Sequence, residues 1–474
     1  MVDRNEKIMQ NLIMNKRIYK LFNIFVIAFV IIMLRHAQIT ILKADALARA
    51  ETNRRWLDME KNTPRGSILD RNGIKLGYTE DKKRIYKDYV SSIIGYQDVR
   101  FGRAGIEKDF NEELTGISRE FDVEEFTRLL HKKEKRGADI KLTLDYSLQE
   151  KTSKALSEKR GAIVLINPET GEILALATNP TFNFSEDDFE IVQKKGDGIL
   201  LNRAINFVYP PGSSAKILTA AAALTNGVKM NHTLLCEGVT IFKSAKITDY
   251  HKTAHGEIDM PNAFKKSCNL YFGALAIEMG SRHLINTGKK FGMGEDIRSH
   301  YADERVLPRI AVSSIAKDDA KIYNGDLSQL GFGQSTFSAT PFQMALIAGA
   351  VANGGKLMKP YLVKSMIKDN EEISLFKEDV LFQPITAEIA QDIERMMWSV
   401  VNEGGTGTRA KTRGLRVYGK TGTAEHSKGE DHAWFVGYAK NSKDETIAFA
   451  VIIERGGSGG ANAASVIPKI LDDF

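Results

Sequence analysis

A long apolar segment near the N-terminus cannot remain exposed to water. From Leu21 to Leu34 the sequence reads LFNIFVIAFVIIML, and Asn23 is its one polar residue. With its flanking residues the segment reaches the roughly 20 residues that a bilayer core requires. A buried core helix and a cleaved signal peptide are alternatives, but Arg35 and Lys43 separate the run from the small residues that resemble a cleavage site. The sequence predicts one membrane anchor that carries a large folded body.

Composition limits what this body does. The 474 residues are enough for one large domain and one smaller one. The net charge of +6 comes from basic residues interleaved with acidic ones, so nucleic-acid binding is not expected. The two cysteines, Cys236 and Cys268, exclude a disulfide scaffold and a four-cysteine zinc site. One disulfide between them stays open, and two independent thiols are favoured.

Strand-like segments occur at both ends of the body. Ala162–Ile166 and Ile173–Ala177 flank an Asn-Pro turn and predict a hairpin, and three further strands are predicted at Val417–Thr423, Ala433–Tyr438 and Ile447–Ile453. The long region between the two groups is mostly helical in pattern. An α+β architecture follows, with a sheet assembled from both ends around a helical middle.

A candidate nucleophile precedes an alanine-rich helix. In PPGSSAK, Ser213 and Lys216 are three residues apart and share one face of a helical turn. A serine hydroxyl needs a base to take its proton, and a lysine serves only if burial or neighbouring charge lowers its pKa. The same S-x-x-K spacing recurs at Ser314, Ser365 and Ser374 in polar surroundings, so the spacing alone is weak.

Two further elements carry groups that suit this chemistry. Ser267 and Asn269 form the S-x-N sequence, in which a hydroxyl relays a proton and an amide holds a substrate amide. The alternative is a helix N-cap by Ser267. In Lys420–Thr423 (KTGT) a cation and hydroxyls on a strand edge suit a carboxylate; the alternative is a surface lysine beside a bulge.

Two other motifs are not expected to function. Gly414 to Thr421 fits the phosphate-loop pattern G-x-x-x-x-G-K-[ST], but the loop is bulky and no helix is predicted after it. His251 and His255 imitate H-E-x-x-H, but Lys252 replaces the glutamate. We expect no nucleotide, no metal and no cofactor.

Together and in this order, the three motifs match the set shared by penicillin-binding proteins and serine β-lactamases. The surrounding sequence resembles the class B penicillin-binding proteins in segments of both the main domain and the region before it: Pro211–Ser213, Lys420–Glu425, His432–Gly437, Gly331–Gln334, Thr340–Ala345, Arg65–Gly73, Gly105–Glu107 and Leu114–Gly116.

This resemblance implies a fold and an organisation. The fold is a penicillin-binding/serine β-lactamase-like transpeptidase domain, an antiparallel five-stranded sheet flanked by helices, with a small N-terminal pedestal and one transmembrane helix. The expected parts are a cytoplasmic tail (1–20), the anchor (21–42), the pedestal (43–155) and the transpeptidase domain (156–474). The pedestal is expected to begin with a polar helix over Ala44–Asn62.

The resemblance also implies a role for each site residue. Ser213 is the nucleophile, Lys216 its base, Ser267 the proton shuttle and Asn269 the clamp on the substrate amide. Lys420, Thr421, Gly422 and Thr423 bind the substrate, and the backbone N–H groups of Ser213 and Thr423 form the oxyanion hole. Cys268 is expected to point away from the site.

The implied activity is cross-linking of peptidoglycan stem peptides with release of terminal D-Ala, and acylation by β-lactams. A D,D-carboxypeptidase, a membrane-bound β-lactamase and a β-lactam sensor remain as alternatives. The implied location is the cell membrane, with the N-terminus cytoplasmic and the catalytic domain outside. Expected partners are a polytopic glycan polymerase and other cell-wall synthesis proteins.

Overall fold

The protein is described by a computed structural model that covers residues 2–42, 63–98, 100–117, 136–156, 158–185, 189–196, 198–316, 321–425 and 429–474. The chain forms two compact units, one of Met1–Pro64 with Thr115–Gly137 and one of Arg65–Leu114 with Ala138–Phe474. The helix expected over Ala44–Asn62 lies outside the described residues.

In the first unit the apolar segment lies on one continuous helix. This helix, α1, spans Val2–Ala37 and continues into a π-helical turn at Gln38–Leu42. Within it, the 27 residues Met14–Thr40 are long and apolar enough to cross a membrane. Their side chains are exposed in this structure, as the lipid-facing side chains of a single anchor would be. The segment predicted as an anchor is therefore helical along nearly its whole length.

The second unit contains all the described strands. In chain order they are β1 (Ile68–Leu69), β2 (Lys75–Glu80), β3 (Lys83–Tyr86), β4 (Gln97–Asp98), β5 (Gly102–Arg103), β6 (Asp139–Leu142), β7 (Gly161–Ile166), β8 (Ile173–Asn179), β9 (Thr233–Cys236), β10 (Val239–Phe242), β11 (Ala245–Thr248), β12 (Gly256–Asp259), β13 (Leu357–Met358), β14 (Val363–Lys368), β15 (Glu371–Ser374), β16 (Val380–Phe382), β17 (Arg416–Ala424), β18 (His432–Lys440) and β19 (Thr446–Ile453).

The remaining α-helices connect and cover these strands. In chain order they are α2 (Ser91–Ile94), α3 (Ile106–Asp109), α4 (Asn111–Thr115), α5 (Tyr146–Ala155), α6 (Phe189–Lys195), α7 (Arg203–Asn206), α8 (Lys216–Thr225), α9 (Met260–Lys266), α10 (Asn269–Met279), α11 (Ser281–Lys290), α12 (Asn324–Gly331), α13 (Pro341–Ala352), α14 (Ala387–Asn402) and α15 (Ile467–Ile470).

The main sheet has five strands in the order β17-β18-β19-β7-β8, and every neighbouring pair is antiparallel. Its strands come from the two ends of the body, as the sequence predicted. The α+β architecture with an antiparallel five-stranded sheet is therefore confirmed. Because β17 has a neighbour on one side only, it forms an edge of this sheet.

Both faces of the main sheet are covered. Alternate residues of each strand point to opposite faces, so Val164 packs into one hydrophobic cluster while Leu165 packs into another. Helix α13 covers the first face, with residues such as Met344 and Ile347 in the same cluster. The second face packs against the C-terminal helix α15. Strands buried on both faces read as continuous apolar runs, which is why they were recognisable in the sequence.

A second sheet, with six strands in the order β15-β14-β6-β1-β2-β3, combines strands from distant parts of the chain. Strand β6 pairs in parallel with β1 and antiparallel with β14. Residues assigned to the predicted pedestal thus share a sheet with residues near 370. The boundaries between pedestal and transpeptidase domain stay a prediction.

A buried ion network stabilises the region around this second sheet. Glu107 is fully buried and lies 2.5 Å from Arg65 Nη2 and 2.6 Å from Arg84 Nε. Burial alone would raise the pKa of Glu107, but the charges and hydrogen bonds of the two arginines lower it overall. Removing either arginine would leave the charge of the buried Glu107 carboxylate uncompensated, which is costly. Arg65 and Glu107, which belong to the segments that resemble the family, therefore stabilise the fold.

The two-sided burial of the main sheet predicts a large cost for truncating one of its side chains. Leu165→Ala in β7 removes a fully buried side chain and is expected to destabilise the protein by about 2–5 kcal/mol. Leu235→Ala in β9, where the side chain is 58% exposed, is the matched control and should change stability little. Denaturant unfolding of the detergent-solubilised chain measures both. Equal losses for the two variants would contradict the assigned burial.

Candidate active site

The candidate nucleophile lies in a tight turn before a helix. Gly212–Ala215 form a 3₁₀ turn, and α8 begins at Lys216. The sequence predicted Ser213 in the first turn of this helix. In the structure it lies in the 3₁₀ turn just before the helix. Gly212 has φ +52°, and a Cβ there would lie 2.4 Å from the Thr423 carbonyl oxygen. Only glycine permits both this backbone conformation and this close approach to β17.

The Lys216 amine is the centre of the site. Its Nζ lies 3.0 Å from Ser213 Oγ and 3.2 Å from Ser267 Oγ. It also lies 2.6 Å from the Ser267 carbonyl oxygen and 2.7 Å from Asn269 Oδ1. Lys216 is fully buried. The structure therefore brings together the serine, lysine and S-x-N residues that the sequence singled out.

Burial changes the protonation of Lys216. Desolvation lowers the pKa of the Lys216 amine to about 8, although the Asp249 carboxylate opposes this shift. The Ser267 carbonyl and Asn269 Oδ1 can only accept hydrogen bonds, so they occupy two N–H groups. A neutral amine then has its lone pair available for the Ser213 hydroxyl proton. The geometry suits Lys216 to act as a base toward Ser213.

The Ser267–Asn269 segment connects two helices through a strained residue. Ser267 ends α9 in the left-handed conformation with φ +61°, and Cys268 caps α10 by accepting from the Tyr271 N–H at 3.3 Å. The interpretation of Ser267 as a helix N-cap is therefore wrong. A non-glycine residue in this conformation costs about 1–3 kcal/mol and is typical of functional sites. Here it directs both the carbonyl and the hydroxyl of Ser267 toward Lys216.

A second buried lysine lies on the other side of Ser267. Lys420 Nζ is 2.8 Å from Ser267 Oγ and 3.1 Å from the Thr421 carbonyl oxygen. Desolvation, followed by the charge of Lys216, lowers the pKa of Lys420 well below its ordinary value. The Ser267 hydroxyl thus lies between two amines of low basicity, an arrangement that can pass a proton in either direction.

The KTGT segment lies within β17, and the strand continues past Thr421 to Ala424 with no helix beginning at the lysine or the threonine. The phosphate-loop pattern therefore lacks the helix N-terminus that a nucleotide site needs, as the sequence analysis expected. Strand alternation places Lys420 and Gly422 on one face and Thr421 and Thr423 on the other. A Cβ on Gly422 would lie 2.7 Å from the Pro211 carbonyl oxygen, so this glycine makes room for the nucleophile turn.

The outer edge of β17 pairs with no other strand among the described residues. The Val417 carbonyl accepts from Asn402, which precedes this strand in α14, and the Thr421 carbonyl accepts from Lys420 Nζ. Residues at this spacing present their backbone groups to the same edge, so Thr423 does as well. An extended peptide could pair with this edge beside Ser213.

Thr406 is a neighbour of the site that the sequence analysis did not identify. Its Oγ1 hydrogen bonds to Thr421 Oγ1, and the Gly459 N–H donates to Thr423 Oγ1 at 3.5 Å. The two KTGT hydroxyls are therefore held from behind by separate loops. The glycine-rich setting of Thr406, GGTG, was the one local signal available.

A cluster of potential metal ligands lies behind the S-x-N segment. The ligand atoms of Cys236, Asp249, His255 and Cys268 lie within 4.8 Å of one another, and the two sulfurs are 3.4 Å apart and not joined by a disulfide. Asp249 Oδ1 accepts from the Asn269 N–H at 3.1 Å, which links the cluster to the site. Two thiols, an imidazole and a carboxylate can hold Zn²⁺. No metal was expected from the sequence, because Lys252 replaces the glutamate of H-E-x-x-H; the cluster contains His255 of that motif but not His251.

No Asp or Glu oxygen of the described residues hydrogen bonds to Ser213 or Lys216; their partners are the groups given above. Glu304 is exposed and pairs with Arg298 at 4.0 Å, so its carboxylate is not among these partners. In the described part of the chain, the groups that contact Ser213 and Lys216 are therefore amine, hydroxyl, amide and carbonyl groups and not carboxylates.

Comparison with known proteins identifies relatives across the chain. The family model "Penicillin binding protein transpeptidase domain" matches residues 161–472. The peptidoglycan D,D-transpeptidase MrdA of Acinetobacter baumannii is 32% identical over 408 residues, which span 78% of this chain but 60% of that protein. The peptidoglycan D,D-transpeptidase PbpA of Mycobacterium tuberculosis is 28% identical over 95% of this chain and 97% of its own length.

Solved structures agree with these relatives. The ceftriaxone acyl-enzyme complex of penicillin-binding protein A from M. tuberculosis superposes with a TM-score of 0.78 at 26% identity, covering 87% of this chain and 98% of that one. The Pseudomonas aeruginosa PBP2 complex with WCK 5153 gives a TM-score of 0.73 at 27% identity, covering 87% and 96%.

The close packing of the nucleophile turn on β17 predicts that one methyl group disrupts the site. Gly422→Ala would place its Cβ against Pro211 and Ser214 and is expected to slow labelling by a fluorescent penicillin roughly tenfold or more. The control is Gly325→Ala in α12, where a Cβ meets nothing within 4 Å. Gel fluorescence against time measures both. Labelling at the wild-type rate in Gly422→Ala would refute the assigned packing.

Proposed function

The chain belongs to the penicillin-binding protein transpeptidase family, in its class B, and from this premise we propose that it is a peptidoglycan D,D-transpeptidase. It cross-links stem peptides through an acyl-enzyme on Ser213 and is acylated there by β-lactams. The observation that carries this proposal is the pair of buried lysines, Lys216 and Lys420, on either side of the Ser267 hydroxyl, with Lys216 Nζ 3.0 Å from the Ser213 hydroxyl.

Acylation begins with Ser213. Its Oγ attacks the carbonyl carbon of the penultimate D-Ala while Lys216 takes the hydroxyl proton. The developing oxyanion is stabilised by the backbone N–H groups of Ser213 and Thr423. As the carbon–nitrogen bond breaks, the terminal D-Ala amine receives a proton from the Ser267 hydroxyl, which Lys216 restores. The ester on Ser213 and free D-Ala are the products.

Transfer reverses the proton path. The amine of a neighbouring stem peptide attacks the ester carbonyl and loses a proton through Ser267 to Lys216. The bond to Ser213 Oγ breaks and that oxygen regains a proton. One amide bond is broken and one is formed, so the cross-link requires no external energy source.

Substrate binding uses the edge of β17. The terminal carboxylate is held by Lys420 and by the hydroxyls of Thr421 and Thr423, which present charge and donors at a strand edge. Asn269, whose Oδ1 accepts from Lys216, donates from its amide nitrogen to the substrate backbone. Gly422 contributes by letting the nucleophile turn approach.

Location and partners follow from the same premise. The helix Met14–Thr40 anchors the protein in the cell membrane, and the N-terminus is assigned to the cytoplasm because the peptidoglycan substrate lies outside. A polytopic glycan polymerase and other cell-wall synthesis proteins are the proposed partners, since a cross-linking enzyme acts on newly polymerised strands.

The proposal predicts one acylated residue. Ser213→Ala is expected to abolish the covalent adduct with a fluorescent penicillin, because no ester can form. Ser374→Ala is the matched control, since Ser374 at the end of the exposed strand β15 has the same S-x-x-K spacing to Lys377. Mass spectrometry of the labelled peptide locates the adduct. An undiminished adduct in Ser213→Ala would exclude this active site.

Product analysis then separates the alternatives. With a donor stem peptide and an amine acceptor, a transpeptidase yields the cross-linked dimer, whereas a D,D-carboxypeptidase yields the shortened peptide alone. A β-lactamase would turn over penicillin without a lasting adduct. A sensor would form the adduct but consume no stem peptide.

The lowered pKa of Lys216 predicts a pH dependence. Acylation requires the neutral amine, so the acylation rate constant is expected to rise with pH and level off above about 8. Stopped-flow acylation with a chromogenic cephalosporin measures the profile, and melting temperatures over the same range exclude unfolding. A rate constant that does not change between about pH 6 and about pH 9.5 would contradict Lys216 as the base.

A further inference from the structure

A second buried polar network lies at the base of the nucleophile turn. Glu454, the residue after β19, accepts from the Tyr209 hydroxyl at 2.7 Å. The same carboxylate pairs with Arg203 Nε at 3.0 Å and with Arg160 Nε at 2.6 Å. These contacts join β19, α7, the start of β7 and the segment that leads into Ser213.

The side chains of this network are largely excluded from water. Tyr209 is 7% exposed and the Arg203 side chain is fully buried. Burial alone would raise the pKa of Glu454, but the hydrogen bonds of Tyr209 and Arg160 and the charge of Arg203 lower it overall. A charged acceptor makes the hydrogen bond from Tyr209 stronger than one between neutral groups.

Tyr209 is also held by contacts with β18 and with the segment before α13. Its ring packs edge-on against His432 and Trp434 of β18, at centroid distances of 5.6 and 6.2 Å. Its backbone exchanges two hydrogen bonds of 2.9 Å with Ala339. The next carbonyl, of Pro210, accepts from Trp434 Nε1 at 3.0 Å. The tyrosine hydroxyl thus fixes a side chain three residues before Gly212, where the turn begins.

The nucleophile turn, Gly212–Ala215, is closely packed against its neighbours. A Cβ on Gly212 would lie 2.4 Å from the Thr423 carbonyl, and one on Gly333 would lie 2.1 Å from the Gly212 carbonyl. The turn is therefore in van der Waals contact on two sides, and a shift at Tyr209 is passed on to Ser213. Displacements of about 1 Å can reduce the rate of a catalysed step by up to about a hundredfold.

We propose that Glu454 is a positioning residue for the Ser213 nucleophile and acts through the hydroxyl of Tyr209. It does not touch Ser213 or the substrate edge. Its carboxylate, fixed by Arg160 and Arg203, sets the position of Tyr209 and hence the alignment of Ser213 Oγ with Lys216. This inference rests on the proposed function, because it concerns the nucleophile of that reaction.

The test compares acylation with folding in the full-length detergent-solubilised protein. Tyr209→Phe removes only the hydroxyl and is expected to lower the acylation rate constant for a chromogenic cephalosporin roughly tenfold, with non-covalent binding of the drug unchanged. The control is Tyr301→Phe, which removes the hydroxyl of a half-buried tyrosine that donates to the Pro360 carbonyl at 2.6 Å. Melting curves verify that the variants are folded.

A double-mutant cycle tests the path. Glu454→Gln keeps an acceptor for Tyr209 but loses the charge, so a decrease smaller than that of Tyr209→Phe is expected. If Glu454 acts through the hydroxyl, adding Glu454→Gln to Tyr209→Phe produces no further loss of acylation rate. Additive losses, or Tyr209→Phe acylating as fast as Tyr301→Phe, would overturn the inference. Absence of a Ser213-dependent adduct in the wild-type protein would instead overturn the proposed function.

Discussion

Two buried lysine amines on either side of one serine hydroxyl impose the strongest physical demand on this structure. Transferring an ammonium group out of water costs several kcal/mol, and two adjacent ammonium groups would repel each other. Lys216 and Lys420 meet this demand by becoming easier to deprotonate. Around them, Ser267 and Asn269 supply oxygen acceptors at hydrogen-bond distance. Burial destabilises the charged ammonium form of these lysines. The same effect lowers the pKa of Lys216 and so allows its neutral amine to act as a base.

Holding this arrangement requires three elements to meet within van der Waals contact. The nucleophile turn before α8 and strand β17 touch where Gly212 and Gly422 face each other's backbone, and the left-handed Ser267 brings the end of α9 between the lysines. The main sheet provides a rigid base because both of its faces are buried. Sites carried by such scaffolds keep their geometry within the tolerance that chemistry needs.

Much of this could be predicted from the sequence. The strands of the main sheet are apolar runs, and the S-x-x-K, S-x-N and KTGT segments are local patterns of distinctive residues. Prediction failed where the outcome depended on distant contacts. Ser267 has the composition of an N-cap, yet it ends the preceding helix because Cys268 takes the cap. The cluster of Cys236 and Asp249 with His255 and Cys268 had no local spacing that would reveal it.

The sequence by itself determined the kinds of groups available: an apolar helix for a membrane, a serine beside a lysine, a second lysine on a strand, and glycines where backbones must meet. These follow from side-chain chemistry and from short-range periodicity. Only the tertiary structure decided the protonation of Lys216, the direction of the Ser267 hydroxyl and the support of Tyr209 by Glu454. Those properties depend on burial and on distances between residues as much as 245 positions apart, which no local pattern encodes.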